Sequence, residues 1–260
     1  STPEAPARVE GLHGTFPQDV RLERLVLSDS SGAWLTVERA QLTWRPLALL
    51  TGQLEIAVAG AERIALDRLP EAEVTETTPT EPSETAPGLP ELPLAVRLDR
   101  LTVERLDLGA DLAGTPAAFR ISGQAAAPAD GAVTSALDIE RLDGPAETVR
   151  AGARLDRVAE TLSLETKLDA PPDGLLAGLL DLPADGPIRL ELSGEGPVDA
   201  WPGTLEASLG EAARLEAEIR VTDGRQIAIT GTAEAPGLLG ASTQRLVGGP
   251  VALDLALQRK

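Results

Sequence analysis

The sequence predicts an all-β fold, a long antiparallel sheet with one aliphatic face, and three observations carry the prediction. Strand-like runs such as Ile188-Arg189-Leu190-Glu191-Leu192 and Leu215-Glu216-Ala217-Glu218-Ile219-Arg220-Val221 alternate aliphatic with polar residues, and period two puts each kind on its own side of a pleated sheet. Turn signals recur between such runs, at Ala129-Asp130-Gly131, Asp143-Gly144-Pro145 and Asp223-Gly224. Hydrophobic residues make up 42% of the 260, enough for a folded core, yet aromatics are only 2%. Packed sandwiches lean on aromatics to fill the space between sheets, so the aliphatic face here is thin and smooth. An Ala- and Arg-rich chain with lysine only at Lys167 and Lys260 also carries the mark of a GC-rich genome, which by itself depresses Tyr and Phe.

Read in order, Leu25 and Leu27 form a short strand, and Asp29-Ser30-Ser31-Gly32 supplies turn chemistry. Trp34 to Trp44 forms a second strand. Its apolar parity changes between Leu35 and Val37 on one side and Ala40, Leu42 and Trp44 on the other, so a bulge near Arg39 is needed to keep it one-sided. Arg45 to Thr51 fits a short helix, with Pro46 near its first position and Gly52 as its stop. Leu54-Ile56-Val58 and Ile64-Leu66 follow as two strands.

From Glu71 to Pro93 the composition shifts to proline, glutamate and threonine with no basic residue, which reads as a solvated acidic connection. It either separates a segment 1–70 from a segment 94–260 or forms a long insertion between neighbouring strands of one sheet, which costs little in closure entropy. Alternation resumes in three short runs, Leu94–Leu98, Leu101–Val103 and Leu106–Leu108. Their leucine spacing invites comparison with solenoid repeats, but no fixed period recurs. Further strands are expected over 117–126, 133–139, 151–155, 162–168, 188–192, 205–209, 215–221, 227–233 and 251–257, with a second helix over 173–181 behind Asp173 as N-cap.

The formal charge of −18 and pI near 4.4 argue against nucleic acid and against an electrostatic grip on anionic membranes. Lipid, if handled, is held through its acyl chains. Without cysteine there are no disulfides or thiolate metal sites, and neither a metal nor a cofactor is expected. The one histidine, His13, lies between glycines and is expected to be structural or merely exposed. No nucleophile elbow, phosphate loop or H-E-x-x-H occurs, Asp29 to Gly32 lacks the remaining positions of a calcium loop, and Glu216, Glu218 and Arg220 share a solvated strand face. No catalytic residue is assigned. No run approaches the ~18 apolar residues of a membrane span, and the Ser1-Thr2-Pro3 opening leads us to expect a piece of a longer precursor with its membrane anchor outside this chain.

Two blocks resemble a known family. The first is Gly11-Leu12-His13-Gly14-Thr15-Phe16-Pro17 with Leu25-Val26-Leu27-Ser28-Asp29, Gly32-Ala33-Trp34-Leu35 and Leu42-Thr43-Trp44-Arg45-Pro46-Leu47. The second is Gly174-Leu175-Leu176-Ala177-Gly178-Leu179-Leu180 with Leu190-Glu191-Leu192-Ser193-Gly194 and Ala200-Trp201-Pro202-Gly203. Together they resemble the amino-terminal periplasmic part of the TamB family, the translocation and assembly module inner-membrane subunits, within the AsmA-like repeating β-groove group. The resemblance implies a sheet curled lengthwise into an open amphipathic trough, a β-taco, aliphatic within and polar without. It also implies phospholipid transfer between inner and outer membranes, a periplasmic location with an inner-membrane anchor, and an outer-membrane barrel partner, TamA.

The positions expected to line such a groove are Leu25 and Leu27; Leu54, Ile56 and Val58; Val96 and Leu98; Leu137 and Ile139; Leu162 and Leu164; Ile188, Leu190 and Leu192; Leu215, Ile219 and Val221; and Ile227 and Ile229. Three readings compete: a groove for phospholipid acyl chains, a scaffold that pairs its end strand with TamA or a client by β-augmentation, and a closed sandwich or barrel whose aliphatic faces cover each other.

Overall fold

The computed structural model describes residues 7–70, 94–179, 186–223, 226–235 and 249–258. The acidic connection 71–93, the opening six residues, Gly224, the end of the second helix and the last two residues lie outside them. The strands are β1 (Ala7–Glu10), β2 (Asp19–Asp29), β3 (Gly32–Trp44), β4 (Gln53–Leu66), β5 (Ala95–Leu108), β6 (Ala117–Ala127), β7 (Ala132–Arg141) and β8 (Thr148–Asp156), then β9 (Thr161–Ala170), β10 (Ile188–Pro197), β11 (Pro202–Leu209), β12 (Ala213–Thr222), β13 (Gln226–Glu234) and β14 (Val251–Gln258). They form one 14-stranded sheet in sequence order, curled and open. At ~4.8 Å per strand it extends roughly 60 Å.

The expected helix over 45–51 is a 3₁₀ segment, Pro46–Thr51, closed by Gly52 at φ 73°. The described part of the expected helix over 173–181 is α2 (Leu175–Leu179), and a turn not foreseen, α1 (Ala110–Ala113), joins β5 to β6.

Two features depart from the sequence reading. First, the sheet is antiparallel except between β4 and β5, which run parallel. The Ala95 amide donates to Gly52 O and the Gly109 amide to Leu66 O, both at 2.9 Å, so the two strands start and finish together. Leu66 and Ala95 therefore lie at opposite ends of the pair, the length of a 14-residue strand apart, ~46 Å at 3.3 Å per residue. One hydrogen-bonded sheet joins the described strands on both sides of 71–93.

Second, the runs read as separate strands at 54–58 and 64–66, and at 94–98, 101–103 and 106–108, are two unbroken strands, β4 and β5. The aliphatic period skips a residue inside them without breaking the ladder. Leu22 and Leu25 face the same side, as do Val37 and Ala40, Ala61 and Ile64, and Val103 and Leu106. Each pair encloses a Glu-Arg dipeptide: Glu23-Arg24, Glu38-Arg39, Glu62-Arg63 and Glu104-Arg105. Register sets them side by side, with Arg24 opposite Glu38, Glu38 opposite Arg63, and Arg63 beside Arg105. The kink runs across four strands and ends at β6, where the β5 register shifts by one. Arg39, expected to lie at a bulge, has φ 48°.

Among the described residues no large side chain is fully buried. Many of the best-covered apolar residues are alanines, among them Ala61, Ala117, Ala118, Ala170 and Ala217. Extensive contacts join sheet neighbours, and no strand packs extensively on a strand beyond its neighbours. The aliphatic faces do not close on each other as a sandwich would require.

Candidate functional site: an open aliphatic trough

Directly opposite residues in a ladder share a face, so register traces the trough row by row. One row runs Leu22, Ala40, Ala61, Val103, Ile121, Ile139, Val149, Leu168, Leu190, Ala207, Leu215, Ala233, Val251, aliphatic from β2 to β14. The next passes through Leu101, Gly123, Leu137, Ala151, Thr166, Leu192, Leu205 and Ala217. A third carries Ile56, Leu98, Ala125, Ser135, Ala153 and Leu164, then Gly194, Gly203, Ile219 and Ile229. Along β10 and β12 the inward side chains are half-buried or buried and the outward ones, Arg189, Glu191, Arg214, Glu216, Glu218 and Arg220, are exposed.

The same registers place Leu25, Leu27, Leu54, Val96, Leu162, Ile188, Val221 and Ile227 on this face. Val58 is the correction. A second skip, Ile56 to Ala59 beside Leu98 to Leu101, sets Val58 opposite Thr43, which in turn faces Asp19, so Val58 lies in a polar row. Alternation alone cannot show a skip at Ala57-Val58, because both residues are apolar. The sequence reading also passed over Val149, Leu168, Leu205 and Leu255, whose alternation marked them, and Trp201, which no periodicity marked.

A cavity of about 450 Å³ lies on the trough face, lined by Leu98, Leu101, Ala125, Leu137, Ala151 and Leu164 among others. It falls within the ~300–1,000 Å³ usual for ligand pockets. A second, of about 600 Å³, lies on the opposite, outer face of the same strands, lined by the row Glu55, Arg97, Ala126 and Thr134 together with Gln53 and Gln124. The two share Leu98, Gln124 and Ala125.

Trp201 interrupts the open floor. Its indole covers Gly194 and Gly203, which have no side chain to compete for that space, and its Nε1 donates to Leu162 O at 3.0 Å. At the strand ends nearest α2, Arg141 donates to Asp143 and Glu147, at 3.0 and 3.1 Å. Glu147 also accepts the Leu176 amide at 3.1 Å, so this carboxylate, from the β7–β8 connection, serves the helix start for which Asp173 was expected. Burial pushes the Asp143 carboxyl up, but the Ala118 amide and Arg141 more than offset it, and its pKa lies below the ordinary value.

Among the described residues no three His, Cys, Asp or Glu side chains group closely enough to hold a metal. Nor is any helix there long and apolar enough to cross a membrane. His13 Nδ1 donates to Gly11 O, 2.7 Å away, within its own exposed loop.

An open sheet with one largely aliphatic face and a charged outer face defines a β-groove protein. The chain belongs to the YdbH-like family of intermembrane phospholipid transport proteins, whose model, described as intermembrane phospholipid transport protein YdbH, matches residues 5–259. The AsmA-like, lipid-transporting character inferred from the sequence stands, while the family shown is YdbH-like where the sequence blocks resembled TamB. No curated protein and no solved structure matches the chain.

Proposed function

We propose that this chain is a periplasmic segment of an inner-membrane-anchored bridge, along whose trough phospholipids move between inner and outer membranes with their acyl chains against the aliphatic rows. The observation that carries this reading is the row from Leu22 to Val251, aliphatic at every strand and left open. Each acyl methylene moved from water onto such a wall gains up to ~0.8 kcal/mol. Rows of Ala, Leu, Val and Ile hold a chain without directional bonds, so it slides. In this reading the inward residues named above line the groove.

Native mass spectrometry of the purified chain should find bound phospholipid. Leu190→Arg and Ile219→Glu, which put charge on the trough face, should each abolish it. Retention of lipid by both variants overturns the reading.

One observation favours a second reading: among the described residues β14 ends the sheet order with no strand on its outer side, and Leu255 and Leu257 on it are exposed. A scaffold that recruits a barrel such as TamA, or a client strand, by β-augmentation would use that edge. It expects Leu255→Pro to weaken partner binding and charges in the trough to do little.

A further inference from the structure

Strands cross the trough, so their ends form its two long rims. On one rim, beside β2 to β5, the apolar residues leave the trough face and stand in water. Leu47 and Leu50 are 71% and 84% exposed, Leu12 and Phe16 are 62% and 80%. Leu47 and Leu50 are three apart in a 3₁₀ segment, where such residues eclipse, so they point together. The two loops form one corner: the Trp44 amide donates to Gln18 O and the Trp44 indole to Pro17 O, at 2.9 and 2.6 Å.

The charge of this corner is unlike the rest of the chain. Of 260 residues 41 are acidic, yet none falls within 11–18 or 44–54, which hold His13 and Arg45. The flanking carboxylates are held by cations, Glu55 by Arg45 at 2.8 Å and Asp19 by Arg21 at 3.2 Å. Later turns on the same rim carry Asp130, Asp156 and Asp199.

The corner also adjoins the trough. The 3₁₀ segment leads through Gly52 directly into β4, whose first trough-facing residues, Leu54 and Ile56, lie beside Val96 and Leu98 of β5.

We propose that this corner docks on a phospholipid bilayer with neutral headgroups, Leu47, Leu50, Leu12 and Phe16 entering the interface, and that acyl chains pass from there to the trough past Leu54 and Val96. An apolar, acid-free tip on a chain of charge −18 fits a neutral bilayer and not an anionic one, whose surface potential repels the body of the protein. The proposal rests on the lipid-groove reading for its second half and stands alone for its first.

The test is flotation of the purified chain with phosphatidylcholine vesicles, with and without added phosphatidylglycerol, alongside native mass spectrometry. The chain should float with phosphatidylcholine, and less when phosphatidylglycerol is added. Leu47→Asp with Leu50→Asp should weaken flotation about tenfold or more, as should Phe16→Asp, with circular dichroism unchanged because these side chains are solvent-exposed. Leu190→Arg should still float while losing bound lipid. A chain that does not float, that floats as well after the Asp substitutions, or that floats only when another protein is added overturns the docking. Flotation without bound lipid in the unsubstituted chain overturns the groove reading and leaves the docking standing.

Discussion

The indole of Trp201 lies where side chains at Gly194 and Gly203 would be. Both glycines face into the trough, Gly194 opposite Leu164 and Gly203 opposite Ile219, so the tryptophan floors a stretch where the strands bring no side chains of their own. Gly194→Val should expel the ring, with the loss of its bond to Leu162 O. Overpacking a filled site costs about 1–3 kcal/mol, and the freed indole should shift tryptophan emission to the red. Trp201→Ala should cost about 3–5 kcal/mol in a urea melt without that red shift.

Arg39 and Glu62 pair across β3 and β4 at the kink, and Arg39 holds a left-handed backbone that Gly adopts freely and β-branched residues resist. The pair is exposed, so its contribution is small. Arg39→Gly should melt at or slightly above the parent temperature, and Arg39→Val below it by roughly 5 °C. Equal melting of the two would show that the left-handed conformation is not required.

That kink also explains what was readable in advance. The change of parity between Val37 and Ala40 revealed the bulge at Arg39, because polar residues stood where the aliphatic period failed. The same Glu-Arg signature at 62–63 and 104–105 looked like strand ends, since sequence shows a skipped residue but not whether the ladder continues through it. The skip at Ala57-Val58, all apolar, left no mark. The parallel β4–β5 pair was beyond reach: its evidence is the partner of Gly52 O, and the composition of 71–93 suits a turn and a return alike. The inward face was legible wherever alternation was strict, as in β10 and β12, and Trp201 was not, because its place depends on two missing side chains in neighbouring strands.

Glu147 holds Arg141 and the start of α2 together. Both side chains are nearly covered, and removing one partner strands the other. Glu147→Ala should cost about 2–3 kcal/mol, since Arg141 keeps Asp143 as one ion partner. Glu147→Gln, which still accepts from Leu176, should cost less. Urea midpoints order the three proteins.

Acid should destabilise the chain through the carboxylates whose folded pKa is depressed. Asp156 is lowered by the amides of Ala159 and Val158, Glu62 by Arg39, and Asp143 as described. A depressed carboxylate contributes stability above its unfolded pKa and loses it as pH falls through the folded value. The loss should begin below about pH 4. Against it, protonating part of a −18 surface relieves self-repulsion, so stability should be flat or slightly rising from neutrality down to about pH 5 before it falls. Asp143→Asn should flatten the acid limb, and an unchanged limb would exclude Asp143 as a contributor.

Alternation in β10 allows the face assignment and the lipid reading to be tested on one strand. Leu190 and Leu192 share rows with Leu168 and Thr166 inside, while Glu191 stands opposite Lys167 and Glu206 outside. A photo-crosslinking residue at 190 or 192 should capture phospholipid in cells, and one at 191 should not. Since adjacent positions differ only in the side of the sheet they face, general exposure to membranes would label 191 as well. Capture at all three positions therefore counts against a trough, and capture at 191 alone would place the lipid on the opposite face. Capture at 190 and 192 that disappears with Ile219→Glu, two strands away and on the row next to that of Leu192 and two rows from that of Leu190, would mean that one acyl path connects β10 to β12.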